Sequence, residues 1–123
     1  MTTYVLAGEL AVNRVLDGSL PKPAFPEPLR RSAPPNWYGS AAFSLRVADK
    51  ALRSHDAPVA LGLVVKALIA LAQAILAERG EWALNEKRIL ERAGLEHLGD
   101  RLLGLRDEAA IATLIGDARA AVP

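Results

Sequence analysis

The stretch Pro58–Ala77, PVALGLVVKALIALAQAILA, decides the fold. Its length approaches that of a membrane-spanning helix. Lys66 and Gln73 sit inside it, however, and many of its apolar residues are alanine. A lysine at a bilayer centre costs about 3 kcal/mol on insertion scales. A helix that is apolar on nearly every side belongs instead among other helices. The expectation is the central helix of a soluble bundle, with no membrane partner. One stripe of this helix differs from the rest. Gly62, Lys66, Ala70 (or Ile69), Gln73 and Ala77 recur at helical spacing and share a face. Small residues leave space along it, and two polar heads project into that space. The stripe reads either as the floor of a cleft for a ligand or another domain, or as close helix packing with Lys66 snorkelling to water.

Working outward, Asp56 caps this helix with Pro58 in its first turn, and Gly80 stops it after Arg79. Upstream, Asn36 follows Pro34-Pro35 as the N-cap of a helix reaching His55. Trp37, Ala41, Leu45, Ala48 and Leu52 give it one apolar face, widened by Phe43 and Val47. Downstream, Glu81–Leu84 is an extended link. Asn85 caps a short helix over 86–93 that Gly94 ends. A helix over 95–104 carries Leu95, Leu98, Leu102 and Leu103. The last begins at Arg106 or Asp107 and stripes Ile111, Leu114, Ile115, Ala118 and Val122. The expected fold is all-α: an up-and-down four-helix bundle with an extra short helix, preceded by a Pro-rich extended segment.

That segment, 21–35, holds six of the eight prolines. Prolines remove backbone donors and favour extended geometry, so no long helix is expected through 21–28. It is a strap pinned by Phe25 and Leu29, or a ligand for a proline-binding domain. Before it, 1–20 is a lead-in punctuated by Gly8 and Asp17-Gly18, with Tyr4–Leu6 reading as a strand or 8–16 as a weak helix. The expected organisation is a lead-in and linker over 1–35 and a bundle domain over 36–123.

Composition agrees. A chain of 123 residues suits one domain, and 51% hydrophobic with 24% charged residues is globular rather than disordered. With 23 alanines, 20 leucines and only 5% aromatics, helices are favoured over a sheet core. The chain has no cysteine, which removes disulfides and thiolate metal sites and fits a reducing compartment. No basic region precedes an apolar run at the N-terminus, so no signal peptide is expected and the cytoplasm is the expected location. A net charge of +1 gives no electrostatic case for wholesale nucleic-acid binding.

The sequence lacks most of the motifs that carry chemistry. His55 and His97 lie in different elements and no cysteine assists them, so no metal site is expected. There is no Gly-x-Ser-x-Gly elbow and no glycine-rich phosphate loop. Gly18-Ser19 and Gly39-Ser40 are not followed by the Asp-x-Asp that nucleotidyltransferases use to hold Mg²⁺. Arg92 and His97 form Arg-x4-His, which resembles the ribonuclease motif of HEPN-family toxins. In that family the two side chains act on the 2′-hydroxyl and the phosphate of RNA. Here Gly94 falls between them and ends a helix. The plain alternative is a solvated arginine near a helix C-terminus and a surface histidine.

The run Trp82-Ala83-Leu84-Asn85-Glu86-Lys87-Arg88, followed by Glu91-Arg92-Ala93-Gly94-Leu95, resembles the C-terminal helical region of bacterial nucleotidyltransferase-like proteins, the group that includes the aminoglycoside nucleotidyltransferases. Pro34, Trp37 and Ala42-Phe43-Ser44-Leu45 are similar to the helix that opens that region. The resemblance spans about 25–100. It implies a helical bundle that packs on a nucleotidyltransferase catalytic domain, in cis or in trans, and helps form the acceptor-substrate cleft. Mg²⁺ and nucleotide would then belong to the catalytic partner, and this chain would need no cofactor. By motif position the implied substrate-binding residues are Asn85, Glu86 and Lys87. Glu86 would accept from substrate hydroxyl or amino groups, and Lys87 would meet a phosphate. Trp82 would wall the cleft or belong to the core. The plain alternative is a capped helix with a charged first turn. In that family the catalytic domain precedes this region, whereas here Met1 stands just before the linker. The chain then reads as an excised domain or a freestanding partner, not catalytic alone. A third reading is a structural bundle that dimerises with the Lys66/Gln73 stripe buried.

Overall fold

In the computed structural model, the backbone is described from Thr3 to Pro123 and the side chains from Leu6 onward. Met1 and Thr2 lie outside the described residues. The helices are α1 (Thr3–Val12), α2 (Glu27–Arg53), α3 (Ala57–Glu78), α4 (Ile89–Ala93), α5 (Glu96–Leu103) and α6 (Glu108–Ala120), and the described residues contain no strand. The fold is all-α.

α3 begins and ends where its local chemistry dictates. Asp56 Oδ1 accepts from the Val59 N–H at 3.3 Å. At the far end Gly80 takes φ +72°. The Gly80 N–H then reaches Ala77 O at 3.0 Å and the Glu81 N–H reaches Leu76 O at 2.8 Å. This is a Schellman motif, and glycine meets its left-handed requirement without strain. Gly94 ends α4 in the same way, with Gly94 N to Glu91 O and Leu95 N to Leu90 O. α2 closes through a third such motif, with His55 N to Leu52 O and Asp56 N to Ala51 O. There the left-handed position is held by His55, at φ 57°. Asp107 caps α6 by accepting from Ala110 N at 2.8 Å.

Three expected boundaries are corrected. The lead-in forms α1 rather than a strand at Tyr4–Leu6, and that helix ends at Val12 rather than 16. α2 opens at Glu27, well before Asn36, and runs through Pro34 and Pro35. Each interior proline removes one helical hydrogen bond, here to the carbonyls of Arg30 and Arg31, at a cost of about 3 kcal/mol. Tertiary contacts oppose that cost: Pro34 is buried, and Arg30 Nε donates to Glu78 O at 2.6 Å. Asn36 is therefore no cap; its side chain donates to Ser32 O at 3.0 Å. α4 starts at Ile89, after a left-handed Arg88, rather than at 86.

α3 is the hub, packed against α2 along its length and also against α4 and α6. Val64, Leu68, Leu71 and Leu76 from α3 are fully buried with Leu45 of α2 and Leu114 and Ile115 of α6. By length and composition alone α3 is long and apolar enough to cross a membrane, and about half of that stretch is buried by its neighbours while Val59 and Val65 stay exposed. Asp49 pairs with Arg53 at 2.8 Å and Arg119 at 3.6 Å, and so ties α6 to α2.

The segment between α1 and α2 is an extended strap, as its prolines require. Trp82 anchors it. The Trp82 indole N–H donates to Pro23 O at 3.3 Å, and the Phe25 and Trp82 rings meet edge to face at 4.9 Å. α1 lies against the same place. A Cβ on Gly8 would press on Leu84 Cδ2 and stand 3.0 Å from Trp82 Cε3, so a side chain there would require the Leu84 and Trp82 side chains to shift.

Candidate functional site

The stripe read from α3 forms part of a grooved face. Three depressions adjoin along it. The first, about 260 Å³, is lined by Phe25 of the strap, Leu29, Ala33 and Trp37 of α2, Gln73 and Ala77 of α3, and Glu81 and Ala83 beyond it. The second, about 280 Å³, is lined by Trp37, Ser40, Gly62, Val65, Lys66, Ile69 and Ala70. Trp37 belongs to both. The third, about 330 Å³, shares Val65 and Ile69 with the second and adds Glu86, Arg88, Ile89, Leu90 and Glu91. Every residue of the expected stripe therefore lines the groove. Its small side chains leave the space: a Cβ added at Gly62 would meet nothing within 4 Å.

Trp37 departs from its expected place. Its helix spacing groups it with Ala41, Leu45, Ala48 and Leu52, which are buried, yet Trp37 is 39% exposed at the junction of two depressions. Lys66 is exposed and Gln73 half-buried.

The Asn85–Lys87 run stands at the other end of the groove. Asn85 does not cap α4. Its Oδ1 accepts from Lys87 N at 3.1 Å, which closes an Asx turn ahead of the helix. Glu86 lines the third depression, whereas Asn85 and Lys87 are exposed and line none of the three. Arg88 clasps Glu91 through two bonds of 2.6 and 2.7 Å. The hydrogen bond and charge of Arg88 hold the Glu91 carboxyl below its ordinary value, and Glu91 raises Arg88 in turn. On α2, burial and then the Glu78 carboxylate push the Tyr38 phenol up.

Trp82 is buried at 9% exposure and lines none of the three depressions. Its role is in the core, between strap and α1. Arg92 and His97 fall on α4 and α5, on opposite sides of the left-handed Gly94. Arg92 Nη2 donates to Trp82 O at 2.6 Å. His97 is exposed. Among the described residues, no group of three or more His, Asp or Glu side chains is placed to hold a metal ion.

Sequence reasoning found the α3 wall because one helix carries it at regular spacing. It missed Ser40 and Glu81, which join the groove through packing, and Val65, which stands three residues from Gly62 and four from Ile69 on α3. Local signals were present in that spacing and in the i, i+3 spacing of Trp37 and Ser40. No family model, curated protein or solved structure matches the chain.

Proposed function

We propose that the chain is a helical binding module of a nucleotidyltransferase-like system, which receives an acceptor substrate or a catalytic partner and leaves bond-making to another domain. The observation that carries this reading is the groove. The Lys66/Gln73 stripe and Glu86, singled out on separate grounds, line one continuous face with a half-exposed Trp37 at its middle. Large apolar side chains left open between polar ones mark binding surfaces. The rim is chemically mixed: Lys66 offers charge to a phosphate or carboxylate, and Glu86 accepts from hydroxyl or amino groups. The RNA-cleaving alternative draws less support, because the Arg92 guanidinium is engaged with a backbone carbonyl.

Two measurements test the proposal. The chain is titrated calorimetrically with nucleotides and with aminoglycosides, as wild type and as Glu86→Ala. It is also used in a pull-down against a nucleotidyltransferase-like catalytic chain. Binding by either route, weakened in Glu86→Ala, supports the reading. Silence in both overturns it.

A further inference from the structure

We infer that the first depression, between Phe25 and Trp37, is a site for a small organic ammonium ion. The inference rests on the reading of the α2–α3 face as a binding surface and names the chemistry of one part of it. Three elements build the cavity: the strap, the start of α2, and the end of α3 with the link after it. At about 260 Å³ it lies below the ~300–1,000 Å³ of drug-sized sites, so its ligand is small. Its walls include two aromatic side chains, and the electron-rich face of an aromatic ring attracts a cation. Phe25 is held in place by its edge-to-face contact with Trp82.

Glu81 is the only charged residue in the lining, and Gln73 the only other polar one. Among the described residues the Glu81 carboxylate forms one ion pair, with Arg92 at 3.9 Å, longer than a hydrogen bond and with both side chains partly exposed. Arg92 donates instead to Trp82 O, and Arg30, the basic residue next to Gly80, donates to Glu78 O. A purely apolar ligand would set the carboxylate against hydrocarbon, which is unfavourable. An anion would meet like charge. An ammonium carried on an apolar body satisfies the rings and the carboxylate together.

The test uses the full chain and two probes of nearly equal shape, choline and its uncharged counterpart 3,3-dimethylbutan-1-ol, followed by calorimetry and by the indole NMR signals. Choline is expected to bind about tenfold more tightly than the alcohol, the range of a partly desolvated cation–aromatic contact. Trp37→Leu and Glu81→Gln should each weaken choline about five- to tenfold. Lys50→Ala, exposed near the far end of α2 and lining none of the three depressions, should leave it unchanged. Glu81 is exposed, so Glu81→Gln remains informative if Trp37→Leu folds poorly. Equal binding of the two probes, or of neither, overturns the assignment. If choline fails while the catalytic chain is still captured, the ligand class is wrong and the binding surface stands.

Discussion

The guanidinium of Arg92 donates to the backbone carbonyl of Trp82 at 2.6 Å, and so joins α4 to the link that follows α3. The nearby Arg79 donates to the carbonyls of Arg92 and Ala93 at 2.9 and 3.2 Å. These two arginines fasten α4 and its Schellman turn to the end of α3. Arg92→Ala should cost about 1.5–3 kcal/mol, the range for a hydrogen bond from a charged donor to a partly buried carbonyl. Thermal melting checks it. His97→Ala, at an exposed position, should shift stability by less than about 0.5 kcal/mol. A ribonuclease would lose RNA cleavage in both variants.

α3 depends on Asp56 for its start. Asp56→Ala removes the acceptor for the Val59 N–H and should destabilise by about 1 kcal/mol. Asp107→Ala should do the same at α6. Chemical denaturation of the two single variants and the double variant should give nearly additive losses, because the caps serve different helices.

His55 holds a left-handed position that glycine fills in the two other Schellman motifs. A side chain there costs about 1 kcal/mol. Its contact with Glu108, 3.2 Å from Nδ1, is largely exposed and adds little. His55→Gly should therefore raise the melting temperature, and a lower value would show that the Glu108 contact outweighs the strain.

The Arg88–Glu91 clasp sets a pH dependence. Glu91 is held below its ordinary value in the folded chain, so its contribution is fully present above the unfolded carboxylate range. It is lost as pH falls through the lowered folded value. The melting difference between wild type and Glu91→Gln should therefore shrink on acidification from about pH 7 to about pH 2. Both residues are surface-exposed, so added salt should shrink it as well.

Gly8 brings α1 onto Leu84 and Trp82. Gly8→Val should lift α1 and loosen the strap while the α2–α3–α6 core stays folded. Limited proteolysis should then cut within 13–26 faster than in wild type, with little change in helical circular dichroism.

These features differ in how far the sequence announced them. The ends of α3 and the start of α6 were legible because Asp56, Gly80 and Asp107 act within a few residues of themselves. The start of α2 was not. Pro34-Pro35 is locally hostile to a helix interior, and only distant partners, such as the Glu78 carbonyl that accepts from Arg30, make the helix worth continuing. α1 was ambiguous because its apolar residues favour no face, and its place is set by Gly8 against residues far along the chain. Asn85 has the chemistry of a cap, since its side chain does accept a backbone N–H, but it bends the link ahead of α4 instead. The α3 wall of the groove followed from helical spacing. The opposite wall, Trp37 with Ser40 and Phe25, required the packing of α2 and the strap.

The central claim is that the α2–α3 face receives another molecule. Amide and side-chain NMR shifts of the labelled chain, recorded while an unlabelled nucleotidyltransferase-like catalytic chain is added, test it most directly. Saturable shifts centred on Trp37, Gly62, Lys66 and Ile69 and fading toward α6 are expected. Saturable shifts centred elsewhere, or none at all, would contradict it.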